Sequence, residues 1–172
     1  GQLIQNSLFD GEEEKQDEFE PDAEMLEIFS IEAEELLSGI EADLERLAAS
    51  PSDRDALWEV RRHAHTFKGA AGIIGLKKPS KLAHRIEDLL DHLAENTIAP
   101  DGEVLELINA AAGCLRTMTT GDAGETTHEL AADIYKRFDE AMARLADSAP
   151  APAAANAAVL VPADDGHQSR RP

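Results

Sequence analysis

Residues 53–75 read Asp53-Arg54-Asp55-Ala56-Leu57-Trp58-Glu59-Val60-Arg61-Arg62-His63-Ala64-His65-Thr66-Phe67-Lys68-Gly69-Ala70-Ala71-Gly72-Ile73-Ile74-Gly75. Ala56, Leu57, Val60, Ala64, Phe67, Ala71 and Ile74 recur three or four places apart, the period of one face of an α-helix. Ser52 or Asp53 supplies an N-cap, and Gly75 a stop. The same period continues on either side. A helix over about 22–48 starts behind Pro21-Asp22, lines up Met25, Leu26, Phe29, Ala33, Leu36, Leu37, Ile40, Leu44 and Leu47, and stops before Ser50-Pro51. A third begins at Pro79-Ser80 and runs to about Asn96, with Leu82, Ile86, Leu89, Leu90 and Leu93 inward. Two more cover about 101–120 (Val104, Leu105, Leu107, Ile108, Ala111, Leu115, Met118) and about 123–147 (Leu130, Ile134, Phe138, Met142, Leu145). No stretch alternates as a strand does between turn residues. Short connections between successive helices predict an all-α antiparallel helical bundle, a four-helix core with a fifth helix.

Composition narrows the function. The chain of 172 residues has 35 Asp+Glu against 16 Lys+Arg, a net charge of −19, which repels phosphate polymers and argues against nucleic acid or an anionic membrane surface as partner. Aromatic residues are 4% of the total, so the core must be built from Leu, Ile, Val and Ala with a few Phe. The single cysteine, Cys114, forbids an internal disulfide and reads as a small core residue. No apolar run approaches the roughly 18 residues of a membrane span. Residues 1–24 carry nine acids and one Lys, the opposite of a signal peptide, so a cytoplasmic location is expected. Residues 1–21 are expected to form a flexible acidic lead-in, and 148–172, which include Ala149-Pro150-Ala151-Pro152, a disordered Ala/Pro linker of the kind that joins domains in a larger protein. Residues 22–147 remain as the folded unit. It is itself acidic, since 25–147 hold 24 acids and 13 bases, a net −11.

The face of the second helix opposite its apolar stripe holds His65, Gly69 and Gly72, with Trp58 two turns before His65 and Lys68 one turn after it. Each glycine inside a helix costs roughly 1 kcal/mol relative to Ala, for which a purely structural helix has no local reason. Their effect is to bare the backbone beside His65. An uncrowded imidazole is open to another macromolecule, and a lysine at i+3 can reach an anion attached to the ring, which suits a histidine that receives and surrenders a phosphoryl group. The ordinary alternative is a solvent-exposed histidine beside helix-packing glycines, and the two spacings argue against it. A nucleophilic imidazole also needs an acceptor for its second nitrogen, most often a carboxylate. Glu87, at the margin of the third helix's stripe with His84 one turn earlier, is placed to supply it if the two helices pack antiparallel.

The run from His65 to Gly75, followed by Lys81-Leu82-Ala83-His84-Arg85-Ile86-Glu87-Asp88-Leu89-Leu90-Asp91, resembles the histidine-containing phosphotransfer (HPt) domain of chemotaxis-type, CheA-like histidine kinases. The family pattern of His-Ser/Thr-aliphatic-Lys-Gly-x-Ala/Ser-Gly, then His-x-x-Glu on the next helix, occurs here in both halves, and the resemblance covers roughly residues 22–147. Phe67 replaces the usual Leu or Ile, and Leu76 stands where Phe often follows the last glycine. The resemblance implies that His65 is phosphorylated on Nε2, that Glu87 accepts Nδ1–H, that Lys68 is a phosphate-proximal cation, that His84 joins the same hydrogen-bonded cluster, and that Gly69 and Gly72 keep the approach clear. It also implies two partners, an ATP-binding kinase domain that donates the group and a response-regulator receiver domain that takes it. This chain, which has no Gly-x-x-x-x-Gly-Lys-Ser/Thr loop, is then a carrier rather than an enzyme on its own, and needs no cofactor.

Trp58, Arg61 and Arg62 flank the same face and suggest a docking strip, the alternative being that Trp58 packs on a neighbouring helix while the arginines balance nearby acids. No metal site is expected. His63 and His65 are about 200° apart around a helix, and Glu125-Thr126-Thr127-His128 lacks the second copy that a di-iron bundle requires. The competing function is a non-catalytic adaptor or dimerisation module in which the histidines are incidental.

Overall fold

The computed structural model describes residues 21–120 and 124–148. The expected lead-in 1–21 and linker 148–172 lie outside them except for Pro21 and for Ser148, which ends the last helix instead of starting the linker. Five helices and no strand occur among the described residues: α1 Ala23–Ala49, α2 Arg54–Ile73, α3 Lys77–Glu95, α4 Gly102–Thr119 and α5 Glu125–Ser148. α1 packs on α2 and α4, and α3 packs on α2 and α4, which closes a four-helix ring. α5 lies against α3 and α4 as the fifth helix. The connections 50–53, 74–76 and 96–101 are short, as expected for neighbouring helices that alternate in direction.

Aspartates start three of the helices. Asp22, Asp53 and Asp101 accept hydrogen bonds from the backbone N–H of Met25, Ala56 and Val104, each satisfying one of the free donors of a first turn. Asp101 also accepts from Arg144 of α5 at 2.9 Å, so one carboxylate caps α4 and fastens the fifth helix. α3 begins at Lys77, two residues before the expected Pro79-Ser80 start. Pro79 sits in the first turn, where a missing N–H deprives the helix of nothing. α2 ends at Ile73, and Gly75 takes φ 83°, a left-handed conformation that glycine adopts without strain.

The predicted stripes form one core. Leu37, Ile40 and Leu47 of α1, Phe67 of α2, Ile86, Leu89 and Leu93 of α3, Ile108 and Leu115 of α4 and Phe138 of α5 are fully buried. Phe29 and Phe67 meet edge to face with ring centroids 5.6 Å apart. Cys114 is buried among them. Leu26 and Leu130, expected inward, are exposed. Both lie in the first two turns of their helices, where fewer neighbouring side chains overlap the stripe. Met25, Leu36, Leu105, Met118 and Met142 pack at its margin. No described helix is long and apolar enough to cross a membrane.

Candidate functional site

On α2, taking about 100° per residue, Trp58 and Gly72 stand within about 20° of His65. Arg61 and Lys68 fall about 40–60° to one side, and Gly69, Arg62 and Ile73 about 40–80° to the other. α3 covers the first flank and brings Glu87 to it. The second flank is bare: a Cβ built on Gly69 would meet nothing within 4 Å, so no internal contact requires glycine there. A Cβ on Gly72 would sit 3.6 Å from Ser80 Oγ, an ordinary contact. The Ser80 hydroxyl donates to the Lys68 carbonyl at 2.9 Å and ties the start of α3 to α2 beside the site.

Glu87 is 5% exposed, and a carboxylate that deep is costly unless paired. Lys68 Nζ donates to its Oε1 at 2.7 Å, His65 Nδ1 lies 2.7 Å from Oε2, and Arg61 Nη2 lies 3.5 Å from the same Oε2. Burial pushes the Glu87 pKa up, but the hydrogen bonds and charges of Lys68 and His65 outweigh it and hold the carboxyl below the ordinary glutamate range. An ionised carboxylate only accepts, so Nδ1 must carry the proton. In the neutral ring the lone pair is then on Nε2, at the far side of an imidazole whose side chain is 59% exposed. A buried acid thus fixes the tautomer of an open imidazole.

Four of the proposed site residues therefore converge, namely His65, Glu87, Lys68 and Arg61. Lys68 spends an N–H on Glu87 rather than pointing past the ring. His84 departs from the cluster expected of it: its Nε2 lies 3.4 Å from Asp88, one turn along α3, because the outward position that exposes His84 turns it away from the buried Glu87. Arg61 departs from the docking strip. Its Nε donates to Asp91 of α3, its guanidinium carbon stands 4.9 Å from the Trp58 ring centroid, and its side chain is only 26% exposed. Arg62 pairs with Glu59 at 2.6 Å on the surface, and Trp58 is 55% exposed. Sequence reasoning missed Asp91, Ser80 and Ile73, an isoleucine 82% exposed on the open flank beyond Gly69.

His63 points the other way, as its rotation from His65 requires. Its Nδ1 lies 3.6 Å from Asp43 Oδ2 on α1. Asp43, Glu59 and His63 gather ligand atoms within 4.8 Å of one another, but Arg46 and Arg62 already engage the two carboxylates at 2.8 and 2.6 Å.

The Hpt domain family model matches residues 24–148. The chain is 33% identical to the chemotaxis protein CheA of Treponema pallidum over 101 residues, 59% of this chain and 12% of that protein. It is 31% identical to CheA of Rhizobium meliloti over 147 residues, 81% of this chain and 19% of that protein. It thus spans less than a fifth of the length of these two relatives. The phosphorylated P1 domain of CheA3 from R. sphaeroides, solved in complex with CheY6, superimposes with a TM-score of 0.59 at 25% identity, covering 68% of this chain and 97% of that one. A closed four-helix ring, an open histidine oriented by a buried glutamate, and a family match across the whole bundle lead to one conclusion: this chain belongs to the Hpt domain family.

Proposed function

We propose that this domain is the phosphocarrier of a chemotaxis-type histidine kinase. An ATP-binding kinase domain delivers the γ-phosphoryl group to His65, and a receiver-domain aspartate takes it away. The observation that carries the reading is the contact of His65 Nδ1 with buried Glu87 at 2.7 Å, made by a ring that stays open to the outside. In-line transfer demands a nucleophile, its orientation and charge neutralisation. The Nε2 lone pair forms the N–P bond as the P–O bond to ADP breaks. The ring becomes cationic with its proton still on Nδ1, and Glu87 stabilises that charge. When an aspartate oxygen attacks phosphorus, the N–P bond breaks and the lone pair returns to Nε2. Lys68, bound to the other Glu87 oxygen, supplies positive charge on the α3-facing flank of the ring. Nucleotide and Mg²⁺ belong to the partners in this scheme, and the domain alone transfers nothing.

The phosphorylated, CheY6-bound state of the R. sphaeroides P1 domain supports the receiver step. Exposed Trp58 and Ile73 and the bare backbone at Gly69 offer a partner a flat, partly apolar landing around the ring. The test is incubation with a CheA-type kinase domain and labelled ATP. Acid-labile, base-stable label is expected on the natural chain and none on His65→Gln, whose helical circular dichroism stays intact; label persisting on that variant overturns the assignment.

A further inference from the structure

Arg61 stands one turn before His65 on the flank that faces α3, and three neighbours fix its guanidinium. Asp91 takes its Nε–H, Trp58 lies under its plane, and its Nη2 is 3.5 Å from Glu87 Oε2. That oxygen is the one His65 Nδ1 uses. Glu87 and Asp91 are i, i+4 neighbours on α3 whose like charges repel, and the arginine between them offsets both. Burial works against its charge, yet the Asp91 hydrogen bond and the two acids keep Arg61 firmly protonated. Lys68 neutralises the opposite oxygen, so His65 faces a carboxylate already flanked by two cations.

We propose that Arg61 is a positioning residue for phosphotransfer: held by Asp91 and Trp58, it locks the Glu87 carboxylate as acceptor for His65 Nδ1–H and weakens its pull on that proton. The inference rests on His65 being the phosphoryl acceptor. Its consequence concerns both directions of transfer. Without the arginine, Glu87 is held by Lys68 at Oε1 alone and the oxygen that faces His65 loses its own fixed cation, so the nucleophile is less well oriented and phosphorylation slows. Once the phosphoryl group is attached, an unbalanced Glu87 stabilises the cationic phosphoimidazole more strongly, so the group leaves more slowly.

The experiment uses the full chain with a CheA-type kinase domain and ATP, comparing Arg61→Gln, Arg61→Lys and Asp91→Asn with the natural sequence. Arg61→Gln is expected to lower kcat for phosphorylation about three- to tenfold, the range for one charge some two contacts away, with KM changed less than twofold. It should lengthen the lifetime of the isolated phosphohistidine by a similar factor and move the acid limb of the phosphorylation pH profile toward higher pH. Arg61→Lys, which keeps the charge and loses the fork, should restore the pH profile and only part of kcat. Asp91→Asn should fall between. Ring ¹H and ¹⁵N spectra give a readout independent of activity: in Arg61→Gln the His65 Nδ1–H signal should move downfield, as expected of a stronger hydrogen bond to an unbalanced Glu87 Oε2, and an unmoved signal counts against the proposal. A raised KM with unchanged kcat makes Arg61 a docking residue and overturns the proposal, as does natural behaviour of Arg61→Gln on a phosphorylated domain. Absence of phosphorylation in the natural chain overturns instead the reading on which the proposal rests.

Discussion

His65 and Glu87 meet across the α2–α3 interface at 2.7 Å with opposite exposures, the imidazole largely open and the carboxylate buried. The asymmetry divides the labour. In the proposed phosphocarrier, chemistry takes place where a partner can reach, and the group that orients it sits where water cannot compete for its hydrogen bonds.

Replacing Glu87 by Gln keeps the shape and removes the charge. Lys68 then lacks its counter-ion and Arg61 retains only Asp91, so a stability loss of about 1–3 kcal/mol is expected in urea titrations. Phosphorylation by a kinase domain should slow about 10- to 100-fold because orientation and charge stabilisation go together while the nucleophile remains. An unchanged rate removes Glu87 from the mechanism.

The depressed Glu87 pKa sets a pH dependence. The folded value lies below the unfolded one, so the carboxylate contributes stability above the ordinary glutamate value of 4.5, and the contribution is lost as pH falls through the folded value. Asp101 acts in the same direction. Burial pushes its carboxyl up, but the Val104 N–H and Arg144 outweigh burial and hold it below the usual aspartate value. Thermal melts should therefore lose midpoint temperature steeply below about pH 4.5, and Glu87→Gln should flatten that decline. Parallel acid limbs in the two proteins would show that the ion cluster contributes nothing.

Gly69→Ala separates stability from function. Nothing lies within 4 Å of the added methyl, and the site is inside α2, so the variant should gain about 1 kcal/mol in denaturant titrations. The same methyl stands on the flank a partner must approach. Transfer to a receiver domain should fall several-fold while spontaneous loss of the phosphoryl group is unchanged. A gain in stability with no loss of transfer would assign the glycine no role in access.

How much of this was legible follows from what a sequence encodes. The stripes through Phe67, Ile86 and Ile108 repeat so regularly that five helices could be read directly, and the His65 and Glu87 motifs named the central pair. The surroundings of that pair were harder. Arg61 and Arg62 are adjacent in sequence but about 100° apart on the helix, so only one can face α3. The wheel groups Arg61 and Lys68, two turns apart on one flank of α2, and Glu87 and Asp91 stand one turn apart on α3. Two basic residues on one flank and two acidic residues on the facing helix were the available signal for the ion cluster. His84 was misplaced because motif spacing fixes its position along α3, not its exposure. Gly39 gave no signal at all, since the ring that needs it comes from another helix.

That glycine yields the sharpest packing prediction. A Cβ on Gly39 would lie 2.8 Å from His63 Nε2 and 3.0 Å from Cε1, so α1 and α2 approach closely only because the side chain is missing. Gly39→Ala gains helix propensity of about 1 kcal/mol but must displace a largely buried ring and its proximity to Asp43, at a cost of about 1–3 kcal/mol. The net expectation is a lower melting temperature. In a His63→Ala background the obstruction is gone and the sign should reverse, with Gly39→Ala raising the melting temperature. The double-mutant cycle then isolates the contact, and a destabilisation that persists without the His63 ring would place the conflict elsewhere in the α1–α2 interface.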